Sequence, residues 1–158
     1  MEEQVVNEVT ETTESNVIVV NNNSNLTLQD EVVKSTKNVY CSVKGNTVEE
    51  KKLVFNAMSQ CDYKVADKLG ETIALKDVIL QKYNKVNETT GELEGKYRTI
   101  LIDSQGVTYA SASVGLFNSL MRLFAIIGEP NTWASPINIQ VVETAMKKGG
   151  KTYTIKTV

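Results

Sequence analysis

The sequence contains no histidine at all. That removes Ser-His-Asp and Cys-His nucleophile systems, HExxH zinc sites and imidazole acid–base work. Carboxylate or lysine chemistry remains formally open, yet no pair of acids stands out for it. There are two cysteines, Cys41 and Cys61, far apart and in no metal or redox spacing, so they read as reduced, half-buried thiols. No metal, cofactor or catalysis is expected. No apolar run approaches membrane-spanning length, and the acidic N-terminus lacks a signal-peptide core. The expectation is a protein of the cytoplasm, outside any membrane. Prolines number two, and there is a single tryptophan, Trp133.

What is present is an ordinary globular composition, 41% hydrophobic and 23% charged over 158 residues, enough for one domain with a real core. The net charge of -2 conceals an asymmetry. Residues 1–36 carry seven acids against Lys34, a balance of -6, whereas the remaining residues sum to +4. Residues 1–35, polar, acidic and Asn-rich, read as a disordered arm, with Val17–Val20 as a short strand at most. Residues 36–158 read as the single folded domain.

The densest pattern runs from Lys96 to Gly128. Tyr97 to Ile102 and Val107 to Ala112 flank Asp103-Ser104-Gln105-Gly106 as a β-hairpin. Ser111 or Ser113 caps a helix whose apolar residues, Leu116, Phe117, Leu120, Leu123, Phe124 and Ile127, recur at helical spacing until Gly128 and Pro130 stop it. With Gly106 in a left-handed bulge, Tyr97, Thr99, Leu101, Val107, Tyr109 and Ser111 share one hairpin face; Arg98, Ile100, Ile102, Thr108, Ala110 and Ala112 share the other. Function is expected on the exposed face of this hairpin.

Upstream, Asn38–Lys44 alternates as a strand, Thr47 and Glu50 form a capping box for a helix over about 48–60, and Lys64–Leu69 reads as a short helical piece. Ile73–Val86 is a long strand whose alternation slips near Lys76-Asp77. Asn87–Gly95 is a polar loop. Pro136 opens another strand, Lys147–Lys151 is a basic turn, and Thr152–Val158 is the last strand. From residue 71 the order is β, loop, β, turn, β, helix, β, turn, β. This is mainly β with helices (α+β): an OB-fold-like five-stranded barrel carrying an N-terminal strand–helix extension. The rival architecture is an α+β sandwich with one mixed sheet and two helices.

Cations for phosphates and flat rings for bases lie close together on these strands. Lys82, Tyr83 and Lys85 belong to the first barrel strand, Lys96, Tyr97 and Arg98 open the second, and Tyr109 lies on the third. Trp133 in its loop, and Lys147, Lys148 and Lys151 in the basic turn, complete the candidate nucleic-acid-binding set. Each has a bland reading beside the functional one: a strand tyrosine packs, a lone tryptophan closes a core, a lysine-rich turn needs no ligand.

The block YRTILIDSQGVTYASASVGLFNSLMRLFAIIGEP, with the NVYCSVK opening and the TGELEG loop, resembles small single-stranded DNA-binding proteins encoded by phages of Gram-positive bacteria. The resemblance spans roughly residues 36–158. It implies cooperative, sequence-tolerant protection of single-stranded DNA during phage DNA replication or recombination, without catalysis. It also leaves room for replication proteins and further copies of the chain as partners, in the host cytoplasm. One departure is the C-terminus: residues 144–158 hold four lysines and no acid, where many single-strand binders end in an acidic tail. The alternative is a phage structural or scaffolding protein that binds no nucleic acid.

Overall fold

The structure is a computed structural model, and it describes residues 39–158. The expected arm over 1–35 and the strand at 17–20 lie outside the described residues.

The element order is β1 (Val39–Cys41), α1 (Val48–Ser59), β2 (Tyr63–Lys64), β3 (Thr72–Val86), β4 (Leu93–Asp103), β5 (Thr108–Ser111), α2 (Val114–Ile127), β6 (Ile137–Ala145) and β7 (Lys151–Thr157). Short 3-10 turns cover Val65–Lys68 and Pro130–Thr132. The chain is therefore mainly β with two α-helices among the described residues. Strand β3 is the spine of the single sheet. It pairs with β4 along its length, with β6 through Thr72–Leu75, and with β1 through Ile79–Gln81. Strand β5 continues from β4, β2 adds to β5 in parallel, and β7 pairs with β6.

The slip in the β3 alternation is a bulge. Leu75 pairs with Asp103 and Asp77 with Ile102, so Lys76 has no partner across the ladder. One extra residue shifts the parity, and Ile73, Leu75, Val78 and Leu80 all enter one core with Leu101, Ile139 and Val141. Ser42 mends the ladder there. Its hydroxyl donates to Asp77 Oδ1 at 2.8 Å and accepts from the Val78 amide at 2.9 Å. Burial raises the Asp77 carboxyl above its usual range, partly offset by that Ser42 bond.

Helix α2 seals the inner face with Leu116, Leu120 and Leu123. Its N-cap is Ser113, whose hydroxyl accepts from the Leu116 amide at 3.2 Å and also from the Tyr153 amide of β7 at 3.2 Å. One side chain thus starts the helix and ties β7 to the far end of β5. Helix α1, opened by the Thr47–Glu50 capping box, covers the outer face. Val54 and Ala57 pack there on Val39, Cys41, Ile79, Ile100 and Ile102.

The hairpin register is the expected one, with Leu101 opposite Tyr109, Ile100 opposite Ala110, and Gly106 at φ 86°. Both faces of the hairpin's central part are nevertheless covered, one by α2 and the other by α1. The expectation of one exposed hairpin face is corrected on this point. Two boundaries also move. The loop after β3 closes within Asn87–Glu92, because Asn87 Oδ1 accepts from the amides of Thr89 and Thr90 and the Asn87 amide donates to the Glu92 carbonyl. Strand β4 therefore begins at Leu93. Lys64, expected in a helical piece, lies instead in β2 and pairs with Ala110 of β5.

Candidate nucleic-acid interface

Beyond Gln81 and before Thr99 the β3–β4 ladder has no further strand beside it among the described residues. Residues 82–86 and 93–98 form a two-stranded ribbon projecting from the sheet. Its pairing sorts the candidate side chains onto two faces. Tyr83 lies opposite Lys96, Lys85 opposite Glu94 and Arg98 opposite Gln81, continuing the outer face of Ile79 and Ile100. Lys82 and Tyr97 face each other across the ladder on the inner face.

The outer face leads into a groove of about 400 Å³ where α1 ends. Its floor is made of small residues, Ala110, Ser111 and Ala112, and Tyr83, Arg98, Lys64 and Tyr153 stand around it. Arg98 is held by α1: Nη1 donates to the Met58 carbonyl at 2.9 Å. The last turn of α1 has no basic residue of its own, so this guanidinium supplies the cation that helix C-termini favour. Lys96 Nζ pairs with Glu94 at 3.0 Å, both side chains substantially exposed, a contact of small energetic value. Asn87, then Lys96, holds the Glu94 carboxyl below its usual range. Among the described residues, Lys64, Lys82 and Lys85 have no carboxylate partner.

The remaining expected site residues are placed elsewhere. Tyr109 is only 9% exposed; its ring lies 5.8 Å from that of Tyr63, and its hydroxyl donates to Asp103 Oδ2 at 3.1 Å. Asp103 Oδ1 in turn accepts from the Gln105 and Val107 amides, so Tyr109 braces the hairpin turn. Burial, then the Asp103 acceptor, pushes the phenol from 10.0 up to about 12. Tyr97 packs on Phe117 of α2 with ring centroids 4.3 Å apart. Trp133 donates through Nε1 to the Gly128 carbonyl at 2.9 Å and tilts against Phe124, closing the end of α2. Lys147 and Lys148 are exposed on the β6–β7 turn, and Lys151 pairs with Glu143 at 3.0 Å. None of these three lines the groove, although Tyr153, two residues beyond Lys151, does. The structure therefore brings Tyr83, Lys85, Lys96 and Arg98 onto one surface and separates them from the other seven.

Lys64 and Tyr153 were not anticipated. The Tyr63-Lys64 pair was the available signal, an aromatic beside a cation, as at Tyr83 and Tyr97.

A model of the family described as phage single-stranded DNA-binding protein, of the phi29 type, matches residues 33–157. The chain belongs to this family. Among its relatives is the single-stranded DNA-binding protein of Bacillus phage GA-1, 27% identical over 108 residues. That alignment covers 65% of this chain and 63% of the relative, so the chain spans less than two thirds of the relative's length. No solved structure matches the chain.

Proposed function

We propose that the chain is a non-enzymatic single-stranded DNA-binding protein that coats and protects the strand with little sequence preference during phage DNA replication or recombination. Family membership supports the class of function, and the printed name of the GA-1 relative agrees with it. The observation that carries the site is the outer face of the β3–β4 ribbon. There Tyr83 offers a ring, Lys85, Lys96, Arg98 and Lys64 offer cations, and Ala110 to Ala112 leave backbone open to close approach. Base stacking on an aromatic is worth roughly 1–3 kcal/mol per base and tolerates any sequence. Phosphate contacts add an affinity that carries no sequence information.

The proposed architecture is an OB-like barrel of β3 to β7 with β1 and α1 as its extension, within a single domain over 36–158. Three kinds of contact support it: β3 pairs with both β4 and β6, β6 with β7, and Ser113 links β7 to the end of β5. Lys82, Tyr97, Lys147, Lys148 and Lys151 are proposed to make secondary contacts as the strand leaves the ribbon. Trp133 and Tyr109 are read as structural.

Titration of the full chain with fluorescent oligo(dT) at rising salt tests the reading. Four phosphate contacts on a single strand predict a log–log slope of about -3. Tyr83→Ala weakens binding at every salt concentration. Absence of binding at low salt, with a discrete assembly formed without DNA, favours the structural-protein alternative and ends this reading.

A further inference from the structure

Helix α1 separates the ribbon groove from a second groove on the outer side of the fold. Its C-terminal end meets the first, where the Met58 carbonyl holds Arg98. Glu50 and Leu53, nearer its N-terminal end, line the second, of about 340 Å³, with Lys44, Lys76 and Trp133. Lys76 is the unpaired residue of the β3 bulge, a position that turns a side chain out of the ladder. The acids of this groove are engaged within the fold: Glu50 closes the capping box, and Asp77 accepts from Ser42. Lys44 and Lys76 are exposed and make no ion pair among the described residues.

Between the two grooves runs the outward face of α1. Val54 and Ala57 turn into the core, and at about 100° per residue Val48, Lys52, Phe55 and Ser59 point the opposite way. Phe55 is 70% exposed, although phenylalanine is among the residue types most often fully buried. Lys51 and Lys52 stand four and three residues before it, the spacing of surface neighbours on a helix. Lys52 lies 3.5 Å from Glu49, an exposed pair of small energetic value, and Lys51 makes no ion pair among the described residues. A protein partner is the poorer occupant for this ring, because lysine is depleted where aromatic side chains anchor protein interfaces. A bare ring beside cations suits a single strand, whose bases stack and whose phosphates need countercharge.

We infer that the bound single strand continues from the ribbon groove across α1 to the groove of Lys44 and Lys76, with one base stacked on Phe55. Lys51 and Lys52 meet the phosphates on either side of that base. The 12 residues of α1 span about 18 Å, so the helix lengthens the contacted path by that distance. The inference rests on the single-strand reading above and adds no sequence preference, since every base has a face to stack.

Oligo(dT) titrated against the full chain and its Phe55 variants provides the test, with Tyr83→Ala alongside. Phe55→Ala is expected to bind roughly five- to a hundredfold more weakly, the range for losing one base stacked on an aromatic. Its thermal unfolding is expected to be no lower, because the ring is exposed and alanine is the better helix former. Phe55→Leu keeps an apolar side chain without a flat face and is expected to lose as much. Phe55→Trp is expected to retain affinity and to show quenching on binding beyond that of Trp133. Lys51→Ala is expected to make the log–log salt slope shallower by about 0.7. Wild-type affinity in Phe55→Ala or in Phe55→Leu refutes the path over α1, and a weakened Tyr83→Ala then leaves the ribbon site standing. If Phe55→Ala keeps its affinity and changes only the assembly state in size exclusion, the ring packs between copies and the inference is likewise refuted. If the wild type does not bind at all, the parent reading fails and this one with it.

Discussion

Gly115 lies in the first turn of α2, where helix propensity alone favours alanine by about 1 kcal/mol. The tertiary environment argues the other way. A Cβ on Gly115 would stand 2.8 Å from the Tyr153 carbonyl oxygen and closer still to Thr152 Oγ1, both on β7. Even weak C–H···O contacts sit near 3.3–3.6 Å, so the methyl group intrudes by roughly half an ångström or more. The Tyr153 carbonyl cannot step aside cheaply, because the residue is paired with Glu143 in the β6–β7 ladder. The helix must lift, and Ser113 then loses its bond to the Tyr153 amide and its contact with Thr152 Oγ1 at 3.2 Å. Overpacking costs about 1–3 kcal/mol, and each lost hydrogen bond about 1 kcal/mol. Set against the propensity gain, the net destabilisation is about 3 kcal/mol. For a chain of this size that is a fall of roughly 10 °C in Tm. Differential scanning calorimetry of Gly115→Ala beside Asn118→Ala, at an exposed position of the same helix, separates the two effects. The expected outcome is a large fall for the first and a small rise for the second. A rise for both refutes the packing of α2 against β7.

Tyr109→Phe is expected to cost about 1 kcal/mol at neutral pH through the lost bond to Asp103. It also changes the alkaline limb. The folded phenol titrates at about 12 rather than 10.0, so as pH rises above about 10 the unfolded chain releases a proton that the folded chain keeps, and stability falls. Urea melts between pH 8 and pH 11 are expected to show a shallower loss for the variant; identical slopes contradict the assignment. Lys85→Glu is expected to weaken oligo(dT) binding and make the salt dependence shallower by about one contact, with no change in solubility. Unchanged affinity and slope remove Lys85 from the phosphate-binding set.

Elements whose cause is local were legible in the sequence. The β3 bulge shows as a slipped alternation at Lys76-Asp77, the hairpin register follows from Gly106, and Ser113, Gly128 and Pro130 bound α2. What escaped depends on distant pairings. β2 is two residues long and pairs with β5, with Tyr63 facing Tyr109 46 residues away; so short a segment has no periodicity to betray it. The covering of the hairpin's outer face escaped for a similar reason. Val54 and Ala57 lie on one side of α1, but nothing in the helix says which surface that side meets, and Phe55 between them is 70% exposed. Tyr83, Tyr97 and Tyr109 look equivalent as strand tyrosines. Only the pairing puts the first at an open groove, the second against Phe117 and the third in the core.

The ribbon's lysines also have a structural reason to be there. A strand edge without a neighbour presents unpaired N–H and C=O groups, and lysine on such an edge discourages pairing with another chain. Lys82, Lys85 and Lys96 all sit on the part of the ladder that lacks a further strand. Edge protection, however, is indifferent to the sign of the charge, since glutamate guards an edge as lysine does. It is also indifferent to what surrounds the edge. Phosphate binding is indifferent to neither. Here Lys85 and Lys96 share a face with Tyr83 and Arg98, over a floor of small residues, and Lys64 is delivered to the same groove from a separate strand, β2. Edge protection accounts for the lysines one at a time. It does not account for a cation from β2 meeting a ring from β3 over Ala110 and Ala112, a convergence that fits the proposed single-strand site.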